Sequence, residues 1–391
     1  MQNPRGCWRQ CIAAALALFC TLGLNINAFS VYVPYLSDLL GLTPNQNSCF
    51  MLVRNLLSVG GVFLAKAYYN KLEIRLGFSL ALALSALSIF LYARVDSFYE
   101  LCVVAMMSGL SYGLGSLYPV TILIHRWFPC HESVAMGICA ASSGLAITIG
   151  APIITALVEK HSIAFAMYCE TFFLVIALTF CVILIRNYPD EVLHFKEVQR
   201  ENKRERLQLN GMFFAVVVLG MLSGAFSYLT IHYTTEGFSP YQISTLVSIN
   251  GVVLTLSKVA LGGLLGRWGA YRTNWVYLSL TMLGCLLFSI GGPAGYITMM
   301  IACCLFGIGC AITTVGVTAY ARDLSKPENY AVTQQQYQLA TLLGGLVCML
   351  IPGFIATLTG SYRGFYVVVT ILLVFSATVI QISYVKSKKT M

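Results

Sequence analysis

The chain has 391 residues, 58% of them hydrophobic and only 10% charged, with mean hydropathy +0.77 and a formal net charge of +9. Soluble globular domains carry about a quarter charged residues, so a water-soluble globule is excluded. Long apolar runs between short polar ones describe an all-α chain that crosses a membrane many times.

Arg5 and Arg9 precede an apolar run that begins at Cys11. The opening resembles a secretory leader, but the run continues to Leu36 and many others follow, so it reads as the first membrane helix. Crossing the hydrocarbon core takes about 20 apolar residues. Twelve spans are predicted, at 10–38, 46–67, 76–94, 98–126, 132–158, 162–186, 210–235, 241–266, 271–291, 295–322, 328–357 and 362–385. The runs are too long for barrel strands and lack period-2 alternation. Fourteen cysteines lie mostly inside these runs, with no CxxC pair and no Cys/His zinc spacing, and read as small hydrophobes rather than metal ligands. No metal, cofactor or nucleic acid is called for.

Placing the N-terminus in the cytoplasm puts 19 of the 24 Lys and Arg residues in inner loops and tails, three (Arg94, Lys160, Arg363) outside, and Arg54 and Lys258 within spans. This asymmetry is the positive-inside pattern, with both termini cytoplasmic and a plasma-membrane location expected. The four tryptophans (Trp8, Trp127, Trp268, Trp275) stand beside inner basic residues. The charged stretch 187–209 reads as a cytoplasmic linker between an N-terminal bundle, 1–186, and a C-terminal bundle, 210–391.

The halves repeat one another. "GLTPNQ" at 41–46 recurs as "GFSPYQ" at 237–242, each just before a span. Thr43 and Ser239 are the expected N-caps, and Pro44 and Pro240 take the first helical position, where a missing N–H is harmless. Gly144, Pro152 and Phe165 match Gly344, Pro352 and Phe365, and spans four and ten both carry Gly-x-Gly (Gly113 and Gly115, Gly307 and Gly309). Two six-helix repeats in the same orientation form a midplane site between the halves.

On these residues the chain resembles the major facilitator superfamily over its whole length. The family's loop after span two survives best as "GGLLGRWGAYR", with Gly262, Arg267, Gly269 and Arg272; Gly266 stands where Asp is usual, and the first-half copy, "AKAYYNKLEIR", is degraded. The resemblance implies a pseudo-symmetric pair of six-helix bundles, a monomer working by alternating access, and an inner gate that here would use Arg267, Arg272 and Arg126. "HRWFPCHESVAMGICAASSGLA" at 125–146 and "SKVALGG" at 257–263 resemble the monocarboxylate and oxalate–formate antiporter branch. Lys258 stands where that branch often has Arg, and Tyr337 or Gln338 near the position of its span-eleven Lys.

Charges at mid-depth cost about 2.5–3.5 kcal/mol on insertion scales and need a partner or a wet cavity. Lys258 offers a positive charge to an anion, or snorkels to the inner surface. Arg54 presents a fork that suits a carboxylate, or an outer-gate salt bridge. Glu170 is a candidate proton-coupling site, or a structural hydrogen-bonded acid. Asn27 and Tyr32 in span one, Tyr118 in span four, Tyr228 in span seven, Asn250 in span eight, Thr314 in span ten and Tyr337 and Gln338 in span eleven complete the candidate substrate site; Asn25 and His232 are further polar residues on these helices. No Ser/His/Asp arrangement, phosphate loop or HExxH motif appears, so an enzyme is not expected. The function implied is secondary active transport of a small organic anion, a mono- or dicarboxylate, by proton symport or anion exchange. Efflux of amphipathic compounds and a transport-silent receptor or sensor are the alternatives.

Overall fold

The computed structural model describes residues 6–128, 132–188, 210–291, 295–325 and 330–390. All regular structure among them is helical. Eleven helices are long and apolar enough to cross a membrane: Cys7–Leu40, Pro44–Ala65, Ile74–Tyr92, Phe98–Ile124, Ala135–Lys160, Ile163–Leu184, Pro240–Leu265, Arg267–Ile290, Tyr296–Leu324, Gln336–Thr359 and Arg363–Lys386. A pair bent by 51°, Gly211–Ser227 and Leu229–Thr235, makes the twelfth, as span seven. They are numbered here as spans one to twelve in chain order. The linker expected at 187–209 lies outside the described residues from 189 onward, with His194, Lys203, Arg204 and Arg206, and so does His131.

The repeated hexapeptide proves to be a repeated cap. Thr43 Oγ1 accepts from the Gln46 amide, and the Gln46 side chain returns to accept from Thr43 N–H at 2.9 Å. Ser239 and Gln242 reproduce the arrangement, with a 3.0 Å return bond. Each box satisfies orphan amides at both ends of the cap, and each Pro fills the first helical position. The Gln of the cue is therefore as structural as its Pro.

Other repeat positions diverge. Pro152 sits inside an unbroken helix, whereas Pro352 begins a new one, Ile351–Thr359. The loop predicted between spans eight and nine shrinks to one residue. Gly269, at φ 73° and ψ 161°, is the only non-helical position between Pro240 and Ile290. Positive φ at that ψ is open only to glycine.

Among the eleven unbroken spans, one and ten are the most buried and six the least. Leu256, Val259, Leu358, Ile371 and Phe172 all expose more than half their area, on faces suited to lipid. The thirteen described cysteines are all free, most of them buried among apolar side chains.

Candidate substrate site

The four spans that open each triplet of the repeat are interrupted near their middles. Span one runs as a π-helix over Phe19–Asn27, then a 3-10 turn over Ala28–Val31, before resuming as α at Tyr32. Span four breaks at Ser116, span seven at Tyr228, and span ten passes through a π-helical turn at Ile312–Gly316. Such interruptions free backbone groups and re-aim side chains, and are frequent at functional sites. Tyr32 and Tyr228 stand 196 residues apart, the offset of the two caps, each where its span resumes.

Arg54 points from span two into the break of span one. Its Nη2 donates to the Asn25 carbonyl, and its Nε donates to Ser108 Oγ at 3.2 Å. Ser108 Oγ in turn donates to Asn25 Oδ1 at 2.9 Å. The guanidinium carbon lies 4.4 Å from the centre of the Phe29 ring. Span four approaches closely enough to supply Ser108 because its next residue is glycine: a Cβ at Gly109 would fall 1.9 Å from the Arg54 carbonyl oxygen. Arg54 is only 6% exposed, yet makes no ion pair with another described residue. A buried guanidinium held by neutral acceptors keeps its charge uncompensated. It lines a narrow cleft with Ile26, Ser30, Met51, Asn55, Ser58 and, from the other half, Ser227, with room for about one water molecule.

Glu170, on the otherwise lipid-facing span six, turns inward. Its Oε2 accepts from the Tyr32 hydroxyl at 2.9 Å, and its Oε1 is buried with no hydrogen-bond partner. The stretch 25–32 of span one thus carries the Arg54 acceptor, the Arg54 ring and the Glu170 donor together.

Lys258 is brought elsewhere. Its Nζ lies 3.4 Å from Ser143 Oγ across the seam between spans five and eight, half-buried and without an acidic partner among the described residues. The seam is tight: a Cβ at Gly144 would fall 2.1 Å from Thr255 Oγ1, and one at Gly251 2.5 Å from Ile147. On the opposite seam, a Cβ at Gly353 would meet Ser48 Oγ at 2.1 Å.

The remaining candidates scatter. Tyr228 is fully buried at the seam, 3.0 Å from Ser48 Oγ and donating to the Met349 carbonyl at 2.9 Å. Asn250 turns into its own half and donates to the Cys303 carbonyl. Asn27 is half-buried, and its carbonyl accepts from Ser30. Tyr118 packs near Tyr69, with ring centres 6.0 Å apart. Thr314 donates to the Ala311 carbonyl within the π-helical turn; Tyr337 is buried and Gln338 exposed. Of the gate candidates, Arg267 and Arg272 are exposed and in no ion pair with a described residue. Arg126 stacks 4.4 Å over Tyr188 and donates to the Asn187 carbonyl. Sequence reading missed Ser108, Phe29 and Ser143. Phe29 stands one helical turn from Asn25, and Ser108 precedes Gly109, but neither cue names Arg54 as the partner.

The halves also touch near the cap-bearing face, opposite the chain ends. Thr230 Oγ1 donates to the Ser30 carbonyl at 2.5 Å, beside the Tyr228–Ser48 contact. Ser248 donates to the Thr148 carbonyl nearer the middle. Lys258–Ser143 is the contact nearest the chain-end face among these.

The Major Facilitator Superfamily profile matches residues 14–335, most of the chain. Among solved structures, a mutant form of the nucleoside transporter NupG superposes with a TM-score of 0.78 at 12% identity, covering 97% of this chain and 100% of that one. A bacterial homologue of the human lysosomal transporter Spinster, inward-facing and unoccupied, superposes with a TM-score of 0.76 at 10% identity, covering 98% of each chain. No curated protein matches by sequence. At these identities the superpositions speak for the fold alone.

Proposed function

Because the chain belongs to the major facilitator superfamily, we propose that it moves a small organic anion, a mono- or dicarboxylate, across the membrane by alternating access. The observation that carries this reading is Arg54: buried, charged, unpaired by any described acid, and lining a cleft shared by both halves. A guanidinium so placed binds a carboxylate through two parallel hydrogen bonds and is relieved of uncompensated charge by doing so. Asn55, Ser58 and Ser227 supply neutral donors around it. Lys258, on the five–eight seam, is a second cation that meets the anion as the halves, 1–186 and 210–391, rock. Glu170 is the proton-coupling site if transport is symport; without it the cycle is anion exchange. Arg267, Arg272 and Arg126 serve the gate at the chain-end face, which is cytoplasmic by the basic-residue asymmetry. The unit is a plasma-membrane monomer.

The test is uptake of a radiolabelled organic-acid panel into proteoliposomes. Saturable accumulation or counterflow of a carboxylate supports the reading; flux of neutral or cationic solutes alone removes it. A second reading, efflux of amphipathic compounds, is favoured by one observation. A largely apolar groove lies between spans two and eleven, lined by Asn45, Ser48, Cys49, Leu52, Leu350 and Phe354. Carboxylate-independent extrusion of lipophilic dyes in the same vesicles would select it.

A further inference from the structure

The short helix Leu229–Thr235 is fastened twice. Through Thr230 and Tyr228 it holds the N-terminal half at Ser30 and Ser48. Beyond its other end, Glu236 is gripped by Arg363 in fork geometry, at 2.7 and 2.6 Å, with the carboxylate side chain 2% exposed. The Arg363 guanidinium lies against Gly291, where a Cβ would fall 2.1 Å from its Nε. One latch therefore ties together the ends of spans seven, nine and twelve.

One turn deeper, His232 joins the same three spans. Its carbonyl accepts from the Glu236 amide. Its ring centre lies 4.9 Å from that of Tyr366 in span twelve, 5.9 Å from that of Phe288 in span nine and 5.9 Å from that of Tyr233. The residue is fully buried, and neither ring nitrogen meets a partner in hydrogen-bond geometry. Buried polar atoms are seldom left this way. A hydrocarbon side chain would fill the position without that penalty, and an imidazole changes its charge near neutral pH once water reaches it. The charged groups of the latch are Glu236, one turn on in its own span, and Arg363, from span twelve. Tyr233 and Tyr366 are the titratable side chains against the ring, and span nine contributes the uncharged Phe288.

We propose that His232 is a proton-operated release for the gate at the cap-bearing face. Protonation sets a cation one turn beneath Glu236, which draws the carboxylate from Arg363 and repels the guanidinium. With the latch weakened, the helix Leu229–Thr235 swings about the break at Tyr228, and its Thr230 parts from the Ser30 carbonyl. The device serves the transport cycle and holds whatever the substrate.

Hydrogen exchange of the full chain in lipid nanodiscs at pH 5.5 and 7.5, corrected for intrinsic exchange, reads the opening. The wild type should exchange across 228–240 about tenfold faster at the lower pH. His232→Phe, which fills the pocket with a ring that does not titrate, should abolish the difference, and Glu236→Gln should exchange fast at both values. Absence of a pH effect in the wild type overturns the proposal, as does its persistence in His232→Phe. Should His232→Phe fail to fold, His232→Gln is judged by the same two outcomes, and the wild-type measurement decides if neither folds.

Discussion

Replacing Arg54 by Met separates a substrate-binding arginine from a structural one, because the two roles predict opposite balances of stability and transport. The substitution keeps much of the volume and removes the charge. The fold loses two hydrogen bonds to a charged group, to Asn25 O and Ser108 Oγ, each about 1.5–3 kcal/mol. It also loses the contact with the Phe29 ring, about 1–2 kcal/mol. Against this, the effective penalty of burying an unpaired guanidinium is itself about several kcal/mol. The terms nearly cancel, so the thermal unfolding midpoint should move by only a few degrees. Anion binding has no such offset: loss of a bidentate charged contact at about 3–5 kcal/mol lowers affinity roughly 100-fold or more. Thermal unfolding in detergent, paired with concentration-dependent uptake in proteoliposomes, measures both. A steep fall in midpoint with unchanged affinity in the surviving protein would refute the assignment and make Arg54 a structural brace.

Glu170→Gln keeps an oxygen for the Tyr32 hydroxyl and cannot exchange a proton, so proton-driven accumulation should disappear while counterflow persists; loss of both would make the carboxylate structural. Lys258→Gln should cut initial anion uptake by about tenfold with expression intact, and unchanged uptake removes Lys258 from the site. Gly109→Ala places a methyl 1.9 Å from the Arg54 carbonyl oxygen, forcing spans two and four apart; destabilisation of about 1–3 kcal/mol and loss of uptake are expected, and a silent variant would show that the crossing is looser than described.

The elements were legible because membrane spans and their ends are written locally. Apolar run length and the Pro44 and Pro240 cues each sit within a short window. The single-residue joint at Gly269 was less so, since a glycine between two apolar runs looks the same whether it closes a turn or opens a loop. The site was legible only as a set of charges. That Arg54 stood within a span was plain; that Asn25 and Ser108 would hold it, from 29 and 54 residues away in the chain, follows from a close approach of three helices that no window contains. Glu170 shows the same limit in reverse. Its helix is the most lipid-exposed, and only the rotation of that helix against Tyr32 turns the acid inward.

The joint at Gly269 has a mechanical corollary. With helix on either side, only that residue's two torsions separate the rods carrying Lys258 and Phe288. Such a hairpin lacks slack to absorb sliding, so a displacement of Lys258 against Ser143 is conveyed along the second rod toward Phe288 and Gly291. A push delivered near one membrane surface is thereby felt at the other without passing through the bundle's centre.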